Sequence, residues 1–526
     1  MTCDFGSANN ETCSHGLHEP HPNSAVSTYS FLNFKSVNNL VGSNDYRVFA
    51  PPVESPNHAT PAAPADGRTL ESNPANATAS PFGWHDTNGI AGAEFTTTQG
   101  NNAHAYTDVD ANNAPDAGSS PDGGASLVFD FPLDLTQAPS TYRPAAVTNL
   151  FYWNNFMHDF TYLYGFDEAN GNFQQNNYGN GGVGNDYVQA EAQDGSGTNN
   201  ANFATPPDGA KPRMQMYIGT NPTPDVDGDL DNAVIAHEYG HGISNRLTGG
   251  PANTSCLGNT EQMGEGWSDF FGYMLTMKPT DVGTASRGIG TYLFGQPANG
   301  PGIRPTPYST NMAVNPSTYN TIKTAAIPHG VGYVWASMLW DLNWKMIEVY
   351  GYTDGFNKTM QLVMDGMKLQ PCSPGFVDGR NAILAADQAL YGGVNQCLIW
   401  EVFARRGLGA SASQGSSTSV QDGVQAFDMP LTCLVDVTPK KLSVCKPADA
   451  VYNVANGTGI NYTMTTSGEP AGTTVTFSAN PIPANSTGTM TIGNTAAAAA
   501  GTYIITVTAT NGANIINQNI TLIIQS

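Results

Sequence analysis

The sequence predicts an α+β protein in three parts: strand-rich, then helical, then a terminal all-β sandwich. Three observations predict it. Short alternating strand-like runs give way to a helical period after Asp231. Composition shifts again at about residue 435, beyond which charge and aromatic residues become sparse. Finally, 526 residues are more than one hydrophobic core usually serves, so two or three domains are expected.

Residues 1–45 are polar and irregular, a linker in character. His15, His18 and His21 in "HGLHEPH" offer metal ligands, but Pro20 breaks any helix there and a solvated segment is the simpler reading. From 46 to 231 short strands alternate with Asn, Gly and Pro turns, as in "DYRVFAPPVESP", "ASLVFDFPL", "GNDYVQAEAQDG" and "PRMQMYIG". One helical stretch, 145–166, interrupts them, with Leu150, Phe151, Asn154, Met157 and His158 at helical spacing. From 232 to 434 helices are expected over 232–247, 264–277, 330–351, 356–369 and 379–392. From 435 to 526 the strands "GTTVTFSA", "TGTMTIG", "GTYIITVTAT" and "QNITLII" recur at the spacing of an Ig-like sandwich.

Charged residues make up only 12% of the chain, yet the net charge is −23. Such a chain repels polyphosphate, and no Lys/Arg cluster offsets this, so nucleic acid is excluded as a partner. No run of about 18 apolar residues appears, so no membrane span is expected. The first residues have neither a basic start nor an apolar core, so no signal peptide is read; an exported chain would be a trimmed one. None of the seven cysteines forms a C-x-x-C pair. Bridges Cys3–Cys13, Cys372–Cys397 and Cys433–Cys445 are expected, leaving Cys256 over, in an oxidising compartment.

"NAVIAHEYGHGISNRL" (232–247) carries the chemistry. On a helix, His237 and His241 project from one face with Cβ atoms about 5–6 Å apart. Two imidazoles so placed can bind one zinc, and Glu238 beside the first lies to one side, placed to take a proton from a water. The bland alternative is two histidines satisfied in a helical core. A catalytic zinc needs a third ligand, and "EQMGEGWSDFF" supplies Glu265, with Asp269 one turn on to accept the outward N–H of a ligating histidine. His329, just before a helix in "IPHGVGYVW", is a loop histidine, either solvated or facing the cleft to stabilise an oxyanion. The run "PDVDGDLDNAV" offers Asp225, Asp227, Asp229 and Asp231. These alternate like a calcium loop, but without an EF-hand's distal Glu; the plainer reading is N-capping of the next helix by Asp231 and Asn232.

"HEYGHGISNRLTGG", "GEGWSDFF", "IPHGVGYVW" and "PCSPGFVDGRNAILAADQALYGG" resemble the fungalysin family of secreted zinc metalloendopeptidases. So do "ASPFGWHDTNGIAGAEF", "LFYWNNFMHDFTYLYGFDEANGNFQ" and "NNANFATPPDGAKPRMQMY", and the resemblance runs from about 46 to 410. It implies a thermolysin-like two-lobe metallopeptidase, with a zinc cleft between a β-rich N-terminal lobe and a helical C-terminal lobe. By the same resemblance His237, His241 and Glu265 bind zinc, Glu238 is the general base and His329 hydrogen-bonds the tetrahedral intermediate. "NNA" at 199–201 resembles the edge strand that aligns a peptide substrate, through Asn200 and Ala201. The motifs do not place the tyrosine that thermolysin-like enzymes add to the oxyanion site. The resemblance further implies an inhibitory propeptide in the precursor, of which 1–45 is a remnant, protein or peptide substrates, and an extracellular enzyme. A monomer is expected, with calcium open as a second metal.

Two other functions stand against this one. A zinc aminopeptidase also uses H-E-x-x-H and a later Glu, but the sequence has no G-x-M-E-N-type segment to capture a free amine. An adhesive or carbohydrate-binding protein with a degenerate peptidase part would lack a complete ligand set.

Overall fold

The computed structural model describes residues 44–512 and 514–526. The expectations for the 1–43 segment, including the His15–His18–His21 cluster and the Cys3–Cys13 bridge, lie outside the described residues. The fold mixes α and β, with five sheets and eight α-helices among the described residues. Contacts divide the described residues into two units: 44–393 with 402–427, and 394–401 with 428–526. No helix among the described residues is long and apolar enough to cross a membrane.

The first unit begins with short strands β1 (Asp45–Val48), β2 (Thr69–Ser72), β3 (Ala103–Thr107) and β4 (Val128–Phe129). Helix α1 (Arg143–Tyr162) follows and is buried on every side from Ala145 to Thr161. A helix so enclosed must pair its polar groups. Trp153 Nε1 donates to Phe49 O at 2.9 Å, and Asp159 accepts from Trp84 Nε1 at 2.8 Å and from Ser80 Oγ at 2.6 Å. Next come β5 (Val188–Ala192), β6 (Ala201–Ala204), β7 (Arg213–Met216), β8 (Ile218–Gly219) and β9 (Val226–Asp227). Strands β3, β5, β7 and β6 form one sheet in that order, with β3, β5 and β7 parallel and β6 antiparallel at its edge.

Helices α2 (Asn232–Leu247), α3 (Gly264–Thr276), α4 (His329–Tyr350), α5 (Tyr352–Leu369) and α6 (Phe376–Tyr391) complete this unit's main elements. α3 is buried along its whole length. Two glycines set how closely these helices approach. A Cβ on Gly240 of α2 would sit 2.9 Å from Ser268 Cα of α3, and one on Gly332 of α4 would sit 2.4 Å from Glu265 Cβ. Both crossings therefore require the missing side chain. α7 (Gln396–Arg405), which the sequence reading missed, and the single turn α8 (Leu431–Leu434) follow.

In the second unit, β10 (Val435–Thr438), β11 (Lys441–Cys445), β12 (Ala450–Asn456), β13 (Thr463–Ser467), β14 (Thr474–Phe477), β15 (Ser486–Gly493), β16 (Gly501–Asn511) and β17 (Asn514–Gln525) form two four-stranded sheets. Their orders are β10-β12-β15-β14 and β11-β17-β16-β13. Alternate residues such as Val435, Tyr452, Met490, Ile505 and Leu522 enter one shared apolar cluster. The first four of these strands were not read from the sequence. β10, β11 and β13 are only four or five residues long, too few for the alternation to stand out.

The cysteine expectations are corrected. Cys256 pairs with Cys372 and Cys397 with Cys433, so neither the Cys372–Cys397 nor the Cys433–Cys445 bridge exists and Cys256 is not left over. Cys445 is disulfide-bonded as well. Nearness in sequence misled here: the fold brings the loop after α2 beside the loop before α6, across 116 residues.

The acidic run at 225–231 is also changed. Asp231 is the residue preceding α2, but its side chain makes no cap bond; Oδ2 accepts from Leu293 N at 3.1 Å instead. Asn232 donates to Phe49 O and Val53 O, tying the helix start to the first strands. Asp227, Asp229 and Asp231 are fully buried, whereas Asp225 is exposed. Burial, reinforced by Glu54, raises the Asp231 carboxyl to about 7. The folded state thus holds this proton more tightly than the unfolded chain, so its contribution to stability falls as pH rises from about 4 to about 7. Asp231→Asn should therefore gain on the wild type in unfolding free energy between about pH 5 and about pH 8. Parallel urea-denaturation curves at the two pH values would contradict this.

Candidate active site

α2 is a regular helix, so His237 and His241 lie one turn apart, with ring centroids 4.8 Å from each other and perpendicular. The close α2–α3 crossing at Gly240 brings Glu265, in the first turn of α3, against both rings. Glu265 Oε2 is 3.3 Å from His237 Nε2, and Glu265 Oε1 is 3.8 Å from His241 Nε2. One ligand atom from each of the three residues lies within 4.8 Å of the others.

Asp269, a turn beyond Glu265, sits with Oδ1 2.8 Å from His237 Nδ1. A proton on Nδ1 then leaves the Nε2 lone pair facing Glu265. Burial works against a charged His237, but the Asp269 and Glu265 carboxylates outweigh it and raise the imidazole to about 10. Burial, with His237 beside it, lowers His241 to about 4. Burial would raise Asp269 and Glu265, yet Arg304 and His237 hold both well below the usual carboxylate range. Glu238 is raised to about 7 by burial, and its Oε2 is buried without a hydrogen-bond partner.

His329 is the first residue of α4, with Nε2 3.4 Å from Glu265 Oε1 and its ring 60% exposed toward solvent. The α3–α4 crossing at Gly332 brings it there. Asn200 and, on the β6 edge, Ala201, Asn202 and Phe203 line the same cleft of ≈ 320 Å³, with His237, Glu238, His241, Glu265 and His329. Val234, Ile289, Leu293, Phe294 and Ile303 give it an apolar wall. No tyrosine appears among the described residues lining it.

Two residues escaped the sequence reading. Arg304 donates Nε to Asp269 Oδ2 at 2.7 Å, and Nη2 to Asp269 Oδ1 at 2.8 Å and Glu265 Oε2 at 3.2 Å. Tyr308 donates its hydroxyl to Asp269 Oδ2. Both come from a loop without periodicity; the only hint is an arginine that must be paired if buried. Beyond the cleft, carboxylates gather in threes as Asp108–Glu191–Asp194 and Asp108–Asp110–Asp116, not as the 225–231 run.

The donor set suits a divalent cation. A ligating imidazole must be unprotonated, so a divalent cation here would take the place of the proton that Asp269 and Glu265 hold on His237. Two imidazole nitrogens and a carboxylate oxygen are ligands typical of zinc, and Glu238 keeps an orphaned oxygen beside them. A helix presenting H-E-x-x-H against a second helix's carboxylate, at the floor of an open cleft, is the site architecture of the H-E-x-x-H metalloproteins.

Comparison with known proteins makes this specific. The model of the family described as Fungalysin metallopeptidase (M36) matches residues 45–412. Extracellular metalloproteinase 2 of Arthroderma gypseum is 42% identical over 415 residues, covering 76% of this chain and 63% of the relative. Extracellular metalloproteinase mep of Aspergillus fumigatus is 43% identical over 410 residues, covering 73% and 62%. The chain belongs to the fungalysin metallopeptidase family. It spans less than two thirds of the length of these curated relatives.

Proposed function

We propose that this chain is a secreted zinc-dependent endopeptidase that hydrolyses peptide bonds within proteins. The observation that carries the reading is the gathering of His237, His241 and Glu265 in a cleft that Glu238 also lines. The proposed architecture is thermolysin-like. A β-rich lobe (46–231) and a helical lobe (232–434) flank the cleft, and an accessory Ig-like sandwich (435–526) and a linker or propeptide remnant (1–45) complete the chain. Export is supported by the relatives' names. The proposal includes an inhibitory propeptide in the precursor and a monomeric enzyme. Calcium enters as a stabilising ion: adding it should raise the thermal midpoint of the zinc-loaded protein, and an unchanged midpoint removes it.

His237, His241 and Glu265 would hold the zinc, which supplies Lewis acidity that polarises the scissile carbonyl and acidifies water. Asp269 fixes the His237 tautomer. Asn200 and Ala201 at the start of the β6 edge align the substrate backbone as an added strand. Glu238 takes a proton from the attacking water as its oxygen bonds the carbonyl carbon, then passes that proton to the leaving amine. His329 donates from Nε2 to the carbonyl oxygen as charge develops there. His329→Ala should lower kcat by roughly 10²–10³-fold while zinc content stays unchanged. Unaltered turnover would return His329 to the solvated surface.

Mapping by mass spectrometry the cuts made in a denatured protein mixture, with and without a zinc chelator, tests the whole reading. The apolar wall favours apolar side chains beside the scissile bond. Internal cuts in N-terminally blocked chains, lost on chelation, are expected. Cuts confined to free amino termini would make the chain an aminopeptidase, and absence of zinc from the purified protein would make its peptidase part degenerate.

A further inference from the structure

The Asp269 carboxylate has four donors: His237 Nδ1 and Arg304 Nη2 on Oδ1, and Arg304 Nε and the Tyr308 hydroxyl on Oδ2. Arg304 divides its Nη2 between Asp269 and Glu265. Its grip on Asp269 is therefore shared with one of the side chains that would hold the metal. Tyr308 contributes differently. Its ring is fully buried and packs against Tyr273 at 5.4 Å, Tyr333 at 5.5 Å and Trp340 at 6.3 Å, so the phenol cannot swing away.

The segment from Arg304 to Tyr308 acts as a strap between two helices. Its ends grip Asp269 on α3, and Thr306 at its middle hydrogen-bonds the Tyr333 hydroxyl on α4, the helix that begins at His329. Pro305 and Pro307 flank Thr306, and their fixed φ limits how far the strap can flex. A neutral hydroxyl at Oδ2 adds a hydrogen bond without adding positive charge. The Asp269 charge thus remains available to the imidazole it faces.

We infer that Tyr308 is a positioning residue of the metal centre. It holds Asp269 in the rotation that turns His237 Nε2 toward the ion. This rests on the zinc reading above. The ring cluster supplies the rigidity and the hydroxyl supplies the aim, so removing the hydroxyl alone should loosen His237 without emptying the core.

The test compares Tyr308→Phe with Tyr273→Phe in the full chain. Tyr273 belongs to the same ring cluster but donates to a backbone oxygen, Ala336 O at 3.2 Å, and does not hydrogen-bond Asp269. Zinc affinity is measured by competition with a chromophoric chelator, and the visible absorption of the cobalt(II)-substituted protein reports ligand geometry. Tyr308→Phe should raise the zinc Kd by about tenfold, the lower end for outer-sphere partners of ligating histidines, and shift the cobalt bands. Tyr273→Phe should leave both unchanged. An unaltered Kd in Tyr308→Phe, or equal losses in the two variants, overturns the inference. A wild-type protein that retains no zinc fails the zinc reading itself, so the two failures are told apart.

Discussion

Glu238→Gln is expected to lower kcat for protein cleavage by about 10³–10⁴-fold, near the upper end for loss of a general acid–base group, while zinc content and fold are retained. The amide keeps the size of the side chain but cannot take a proton. Glu238 has what this role needs. Burial raises its carboxyl to about 7, near the pH at which the group must both accept and return a proton. Its side chain lines the cleft, and its buried Oε2 has no protein hydrogen-bond partner. Because Glu238 is not in the gathered ligand set, the substitution should separate chemistry from metal binding. A zinc-loaded Glu238→Gln protein with wild-type turnover would show that another group moves the proton.

His241→Ala is expected to strip the protein of zinc on dialysis and to abolish activity, because two remaining ligands do not make a stable site. Of the two imidazoles, His241 is the cleaner one to remove. His237 is tied to Asp269 and through it to Arg304 and Tyr308, so its loss would disturb a buried charge network. His241 is paired only at 3.8 Å with Glu265 and keeps 20% of its side chain exposed. Metal analysis beside a thermal unfolding curve decides the matter. Zinc retained at full occupancy would remove His241 from the ligand set, and a collapsed fold would show a structural role instead.

Much of the site was legible because it is local. Spacing of four on a helix aligns His237 with His241 and Glu265 with Asp269, and the 3.6-residue period guarantees each pairing. Ala201 opens the edge strand β6 and Asn200 directly precedes it, both lining the cleft, in a segment singled out only by its resemblance to a family pattern. The helices of the first unit were legible for the same reason, whereas α7 and the short strands β10, β11 and β13 were not.

What the sequence by itself determined is the set of chemically capable side chains and the helical faces that carry them, since both follow from residue type and backbone period. Only the tertiary structure decided which faces meet. Gly240 and Gly332 let α3 approach α2 and α4 closely enough to bring Glu265 to His237, His241 and His329. The Arg304–Tyr308 strap, the Cys256–Cys372 bridge and the turning of Asp231 from its own helix to Leu293 are likewise long-range. The reason is physical: a period fixes neighbours one turn away, whereas contacts across tens of residues depend on how whole elements fill space together.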